Sequence, residues 1–160
     1  MKNQIRNFYD LESSLYDKRR WSEKVGDYQN KIQKNLLTSM IGEIRNKRIL
    51  EIGCGTGRFS EEMAKLGGEM TMVDISEKMI EIVRRKFREQ NLNGAFFDLD
   101  VTEGLPFKNN SFDVSYSINV FSHLEDYEKV LKEMYRVLKP EGHLIINIPN
   151  LSSFYLPYGL

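Results

Sequence analysis

Ile49-Leu50-Glu51-Ile52-Gly53-Cys54-Gly55-Thr56-Gly57 is the stretch on which the fold turns. The short, mostly apolar run Ile49–Ile52 reads as a buried strand, and it enters three glycines at alternate positions. Glycine lacks a Cβ, so such a loop can take left-handed backbone angles and let a ligand lie against bare peptide. A tight turn with close helix–strand packing is the plainer use of the same residues.

Outward from that loop the chain alternates. Upstream, Val25, Tyr28, Ile32, Leu36, Met40 and Ile44 recur every three or four positions, which predicts an amphipathic helix over Val25–Ile44. Downstream, Phe59, Met63 and Leu66 mark a helix stopped by Gly67-Gly68, and Met70–Val73 is a second strand ending in Asp74. Ser76 stands where an N-cap belongs, ahead of a helix lined by Ile80, Val83 and Phe87. After the Asn93-Gly94 turn come a third strand, Ala95–Leu99, and a fourth, Phe112–Ser117. Tyr127, Leu131, Met134 and Leu138 stripe a further helix, the Pro140-Glu141-Gly142 turn follows, and Leu144–Ile148 is a fifth strand. Strands separated by helices imply a doubly wound, mainly parallel α/β sheet with right-handed crossovers.

In such sheets ligands bind beyond the carboxyl ends of the strands. The residues there are Glu51–Gly57, Asp74-Ile75, Asp98–Val101 and Ser117–Ser122. A dinucleotide site uses Gly-x-Gly-x-x-Gly to offer N–H groups to a pyrophosphate. Here the spacing is Gly-x-Gly-x-Gly with Arg58 next, and Glu51 at the loop mouth would repel a diphosphate and suit an ammonium or sulfonium. The Gly-Lys-Ser/Thr of a nucleoside triphosphate loop is missing. Asp74, about 20 residues past the glycines, can accept from both hydroxyls of a ribose. Of Asp98 and Asp100, Asp100 is the better placed to accept from an adenine amino group.

Composition narrows the class. A chain of 160 residues suits one domain: residues 1–46 as an N-terminal helical cap, residues 47–160 as the core. The 23 basic and 23 acidic residues balance, which argues for neither nucleic acid nor an anionic membrane as partner. The charge is uneven, with eleven Lys/Arg against six Asp/Glu in residues 1–48, the pattern of a solvated basic face. A single cysteine, Cys54, allows no internal disulfide, and with His123 and His143 far apart no structural zinc cluster is expected. Without an apolar leader or a span-length apolar run, a cytoplasmic protein is expected.

Four segments resemble one family. Ile49–Gly57 is similar to the first motif of the class I S-adenosylmethionine-dependent methyltransferases, and Val73-Asp74-Ile75-Ser76 to the segment after it. Asp100-Val101, Leu105-Pro106-Phe107 and Ser111-Phe112-Asp113-Val114 resemble the pattern of its small-molecule branch, and Leu138–Leu144 its late Leu-Lys-Pro-Gly-Gly motif. The resemblance implies a Rossmann-like fold that binds S-adenosylmethionine and releases S-adenosylhomocysteine. It implies that Gly53, Cys54, Gly55 and Gly57 lie along the methionine part and ribose, and that Glu51 holds the amino end, often through water. Asp74 would take the ribose with Ile75 on the adenine face, Asp100 and Val101 the adenine edge, and Asn119 the methionine side. Tyr9 and Tyr16 would sit in a leader that closes over the sulfonium, where an aromatic face attracts a cation.

Relatives of that family continue past strand five, whereas this sequence stops at Leu160. The expectation is a fragment or a truncated form, whose fifth strand is an open sheet edge unless the Asn150–Leu160 tail or another subunit covers it. Methyl transfer to a small acceptor is an in-line displacement served by alignment and water exclusion. His123 is a candidate for the acceptor side or for proton removal, against a plain role at a helix start. A cofactor-binding module without turnover and an aminopropyltransferase remain the alternatives, and the acceptor is not specified by fold.

Overall fold

The computed structural model of the chain describes residues 2–21 and 24–148. Five strands form one sheet in the order β3-β2-β1-β4-β5, from β1 (Arg48–Ile52), β2 (Glu69–Asp74), β3 (Gly94–Asp98), β4 (Phe112–Ser117) and β5 (Leu138–Ile146). Every pairing is parallel. The order reverses between β1 and β4, so the crevice for a ligand opens at the carboxyl end of β1.

Both faces of the sheet are covered, which explains why β1 reads as an apolar run. Ile49 faces a core built with Met63, Met72, Val83 and Tyr116, whereas Leu50 and Ile52 face Val130, Met134 and Val137. Ile49, Leu50 and Ile52 are wholly buried, and each contributes roughly 1.5–3 kcal/mol of transfer free energy. The helices are α1 (Lys2–Glu12), α2 (Tyr16–Trp21), α3 (Lys24–Ile41), α4 (Ser60–Lys65), α5 (Glu77–Glu89) and α6 (Tyr127–Val137). Ser76 caps α5 by accepting the Met79 N–H, as its position predicts. Asp126 does the same for α6.

Two readings are corrected. Helix α3 ends at Ile41, where Gly42 takes a left-handed φ of 72°, and its stripe faces outward: Val25, Tyr28, Ile32, Leu36 and Met40 are 46–65% exposed. The inner face is Gly26, Leu37 and Ile41, registered by the Arg58 guanidinium, which donates to Asn30 Oδ1 at 2.9 Å and Gln33 Oε1 at 3.0 Å. Polar anchors on the neighbouring face chose the side; the count of apolar residues did not. The Pro140-Glu141-Gly142 turn lies inside β5 as a bulge, since Phe112 pairs with Leu138 and Val114 with His143. Proline is tolerated there because β5 is an edge strand.

The tail proposed to cover that edge, Asn150–Leu160, lies outside the described residues, as does the side chain of Trp21. Among the described residues no helix is long and apolar enough to cross a membrane, and no group of three or more His, Cys, Asp or Glu side chains could hold a metal ion.

Candidate functional site

A cleft of about 320 Å³ opens where β1, β2 and β4 end, roofed by α1 and α2. Its floor is the glycine loop. The Gly53 and Cys54 N–H groups donate to the Val73 carbonyl at 2.7 and 3.1 Å, and Gly57 N–H to the Cys54 carbonyl at 3.0 Å. Gly55 N–H donates to Asp74 Oδ2 at 2.8 Å. These four donors are spent on protein acceptors, whereas a phosphate cradle would leave such groups aimed at the ligand.

The glycines divide by role. A Cβ on Gly53 would strike Val120 at 2.1 Å, so the loop packs there against the segment after β4. A Cβ on Gly55 would meet nothing within 4 Å, and its φ is +54°: bare backbone faces open space. Gly57 is not in the cleft wall; a Cβ there would meet Val83 of α5 at 2.3 Å, so close packing is the role this geometry gives it.

Glu51 is likewise not in the wall. Strand alternation turns it into the core beneath the loop, 2% exposed, where the Ser60 hydroxyl donates to it. Burial lifts its carboxyl to about 7, with the Ser60 hydrogen bond opposing the rise. From there it reaches a ligand amine only indirectly, as a hold through water would require.

The remaining expected residues converge. Cys54, Asp74, Ile75, Asp100, Val101, Asn119, Tyr9, Tyr16 and His123 all line the cleft, whereas Asp98 does not. Asp74 accepts from Ser76 N–H at 2.9 Å as well as from Gly55, and burial raises its pKa against those backbone bonds. Asp100 Oδ1 accepts from the Thr102 N–H at 2.9 Å and hydroxyl at 2.6 Å, starting the short 3-10 turn Val101–Glu103. Asn119 sits at φ 63°, a backbone region that Asn tolerates better than most residues. Burial pushes the Cys54 thiol well up, so it stays uncharged.

The roof is tied to the loops that follow β1 and β2. Arg6 Nε donates to the Ile75 carbonyl at 3.0 Å, and the Ser76 hydroxyl donates to Asp10. Thr56 Oγ1 donates to Asp17 Oδ1 at 2.6 Å, and Lys86 reaches Asp17 Oδ2 at 2.8 Å. These acids and Arg58 were not foreseen. The sequence held one signal, the two Tyr-Asp pairs Tyr9-Asp10 and Tyr16-Asp17: in each the tyrosine lines the cleft and the acid anchors the roof. Five acidic side chains in the wall, Asp74, Asp100, Glu103, Glu125 and Asp126, stand against Arg58 and Lys129. That balance favours a cationic ligand over a diphosphate.

Fold and cleft together define a Rossmann-like α/β protein with a nucleoside-type crevice at the switch point of its sheet. The profile of the methyltransferase-domain family matches residues 50–146, and the chain belongs to that family. It is 27% identical over 152 residues to a ubiquinone biosynthesis O-methyltransferase of Alkalilimnicola ehrlichii, covering 91% of this chain and 62% of that one. It is 33% identical over 144 residues to a demethylmenaquinone methyltransferase of Clavibacter sepedonicus, covering 89% and 57%. The structure of the [4+2]-cyclase SpnF superposes with a TM-score of 0.80 at 22% identity, covering 91% of this chain and 60% of that one, a likeness of fold. The chain spans about three-fifths of the length of the curated relatives it matches.

Proposed function

We propose that this chain binds S-adenosylmethionine in the cleft and serves methyl transfer to a small-molecule acceptor. The observation that carries the reading is the glycine loop, whose N–H groups are consumed internally while Asp74 and Asp100 border it and Gly55 leaves room for a ligand. A cationic nucleoside without phosphates fits that donor and acceptor set. When bound, the group supplies a methyl carbon already activated by positive sulfur.

On this reading Gly53, Cys54 and Gly55 floor the methionine and ribose portions, and Asp74 accepts from the ribose hydroxyls. Ile75 packs on the adenine face, with Asp100 and the Val101 backbone at its edge. Asn119 and Tyr16 face the methionine side, and the Tyr16 ring adds attraction for the sulfonium. Glu51 acts from beneath the floor, by fixing Ser60 and the loop. The chain is read as one domain, with residues 1–46 as cap. The family's small-molecule acceptors and the lone cysteine support a cytoplasmic enzyme without nucleic acid as partner. The open edge of β5 is where a second copy would pair.

Calorimetry with S-adenosylmethionine, its decarboxylated form and NAD tests the reading. Binding of the first, with slow release of S-adenosylhomocysteine, is expected. Preference for the decarboxylated form would move the chain to aminopropyl transfer, and binding of NAD alone would end the proposal.

A further inference from the structure

The roof meets the far wall at one polar contact. The Tyr9 hydroxyl and His123 Nε2 lie 3.1 Å apart, 114 residues apart in sequence, with their rings edge to face at 5.9 Å. Tyr16 packs edge-on against Tyr9 at 6.2 Å, and the Arg20 guanidinium lies 5.1 Å from the Tyr16 ring centre. All three rings line the same cleft as Gly55 and Asp74, beside the apolar Ile5 and Leu124. The family resemblance gives the Tyr9 ring face to the cofactor; the Tyr9 hydroxyl and His123 have no role there.

We propose that Tyr9 and His123 are a proton-accepting pair for the methyl acceptor, and that the acceptor is therefore a hydroxyl compound of phenol type. The inference rests on the methyl-transfer reading. A carboxylate acceptor arrives without a proton and needs no such pair; a phenol must lose one. An aromatic ring also suits a wall of edge-on rings and aliphatic side chains.

The step balances as follows. The acceptor oxygen uses a lone pair to bond the methyl carbon, and the carbon–sulfur pair leaves to sulfur. The O–H electrons stay on the acceptor as its proton passes to the Tyr9 oxygen, whose own proton passes to Nε2. The positive charge lost by sulfur ends on the imidazole, which returns the proton to water.

Electrostatics agree with that direction. Burial and Arg20 lower the His123 pKa, so the imidazole is neutral and able to accept at physiological pH. Burial raises the Tyr9 pKa, keeping its hydroxyl protonated as a donor. The charged and titratable groups facing the pair are Tyr16 and Arg20 of α2, Asp74 of β2, and Glu125 and Asp126 beside His123.

The test uses the full chain with S-adenosylhomocysteine, and catechol and benzoate as matched probes. His123 is followed by the nitrogen resonances of its imidazole, with His143 the only other histidine to separate. Catechol is expected to move the His123 resonances, benzoate to leave them, and Tyr9→Phe to abolish the catechol effect while S-adenosylhomocysteine still binds. With S-adenosylmethionine, catechol turnover should fall about a hundredfold in Tyr9→Phe and His123→Gln with little change in KM, and lose its acid limb. A silent His123 with bound S-adenosylhomocysteine, an equal response to benzoate, or wild-type catechol profiles in both variants would overturn the pair alone. S-adenosylhomocysteine that does not bind would overturn the methyl-transfer reading first, and the pair with it.

Discussion

Asp74 Oδ2 holds the Gly55 N–H at 2.8 Å, so the last residue of β2 fixes the middle of the loop that follows β1. Its other oxygen takes the Ser76 N–H at 2.9 Å. One carboxylate thus spaces two of the four loops around the cleft, and its remaining lone pairs are what a ribose would find.

Asp74→Asn should keep a folded sheet yet weaken S-adenosylmethionine binding, because the amide offers one acceptor oxygen where the carboxylate offers two. Hydrogen bonds to charged groups contribute about 1.5–3 kcal/mol each, so a tenfold or greater loss in calorimetric affinity is the expected outcome.

The two loop glycines should separate fold from ligand. Gly55→Ala meets no protein atom and should cost only the ~1–2 kcal/mol of a left-handed alanine, while abolishing measurable binding. Gly53→Ala drives a methyl into Val120, a side chain with little rotamer freedom. It should lower Tm further than Gly55→Ala. Equal binding by Gly55→Ala and wild type would remove the ligand from that floor.

Adjacent leucines test the facing of α3. Leu37 is 2% exposed and Leu36 59%. Leu37→Ala should cost about 2–5 kcal/mol by chemical denaturation, and Leu36→Ala about 0.5 kcal/mol or less. The reverse ranking would turn the stripe inward.

Glu51 makes stability depend on pH. Its pKa is raised from 4.5 to about 7 by burial, so the native state holds the proton more tightly than the unfolded chain. Its favourable contribution is complete below about pH 4.5 and is lost as pH climbs through about 7, an amplitude of roughly 3 kcal/mol. Glu51→Gln should therefore match wild type near pH 4.5 and exceed it in Tm at pH 8. A variant that is less stable at both pH values would show that the carboxylate is worth more than its burial costs.

Much of the architecture was legible because parallel strands buried on both faces write themselves as apolar runs. Phe112–Ser117 was read to the residue, and Ser76 declared its helix. The facing of α3 was not legible, since Asn30 and Gln33 look like surface residues until Arg58 is placed between them. At the site, Asp74, Asp100 and Asn119 follow from strand ends alone. That Glu51 sits beneath the floor was not legible, because periodicity gives a strand's alternation without saying which side the cleft lies on. The roof's acids needed contacts such as Asp10 to Ser76, 66 positions apart, which no local pattern encodes.

Arg6, Tyr9 and Asp10 project from one side of α1 onto three separate partners. A helix turns about 100° per residue, so inserting or deleting a single residue between Arg6 and Tyr9 would swing Arg6 away from the side that Tyr9 and Asp10 share. Among descendants of this chain, the leader should accumulate substitutions freely but keep its phase, with insertions and deletions confined to the Ser13–Leu15 bend.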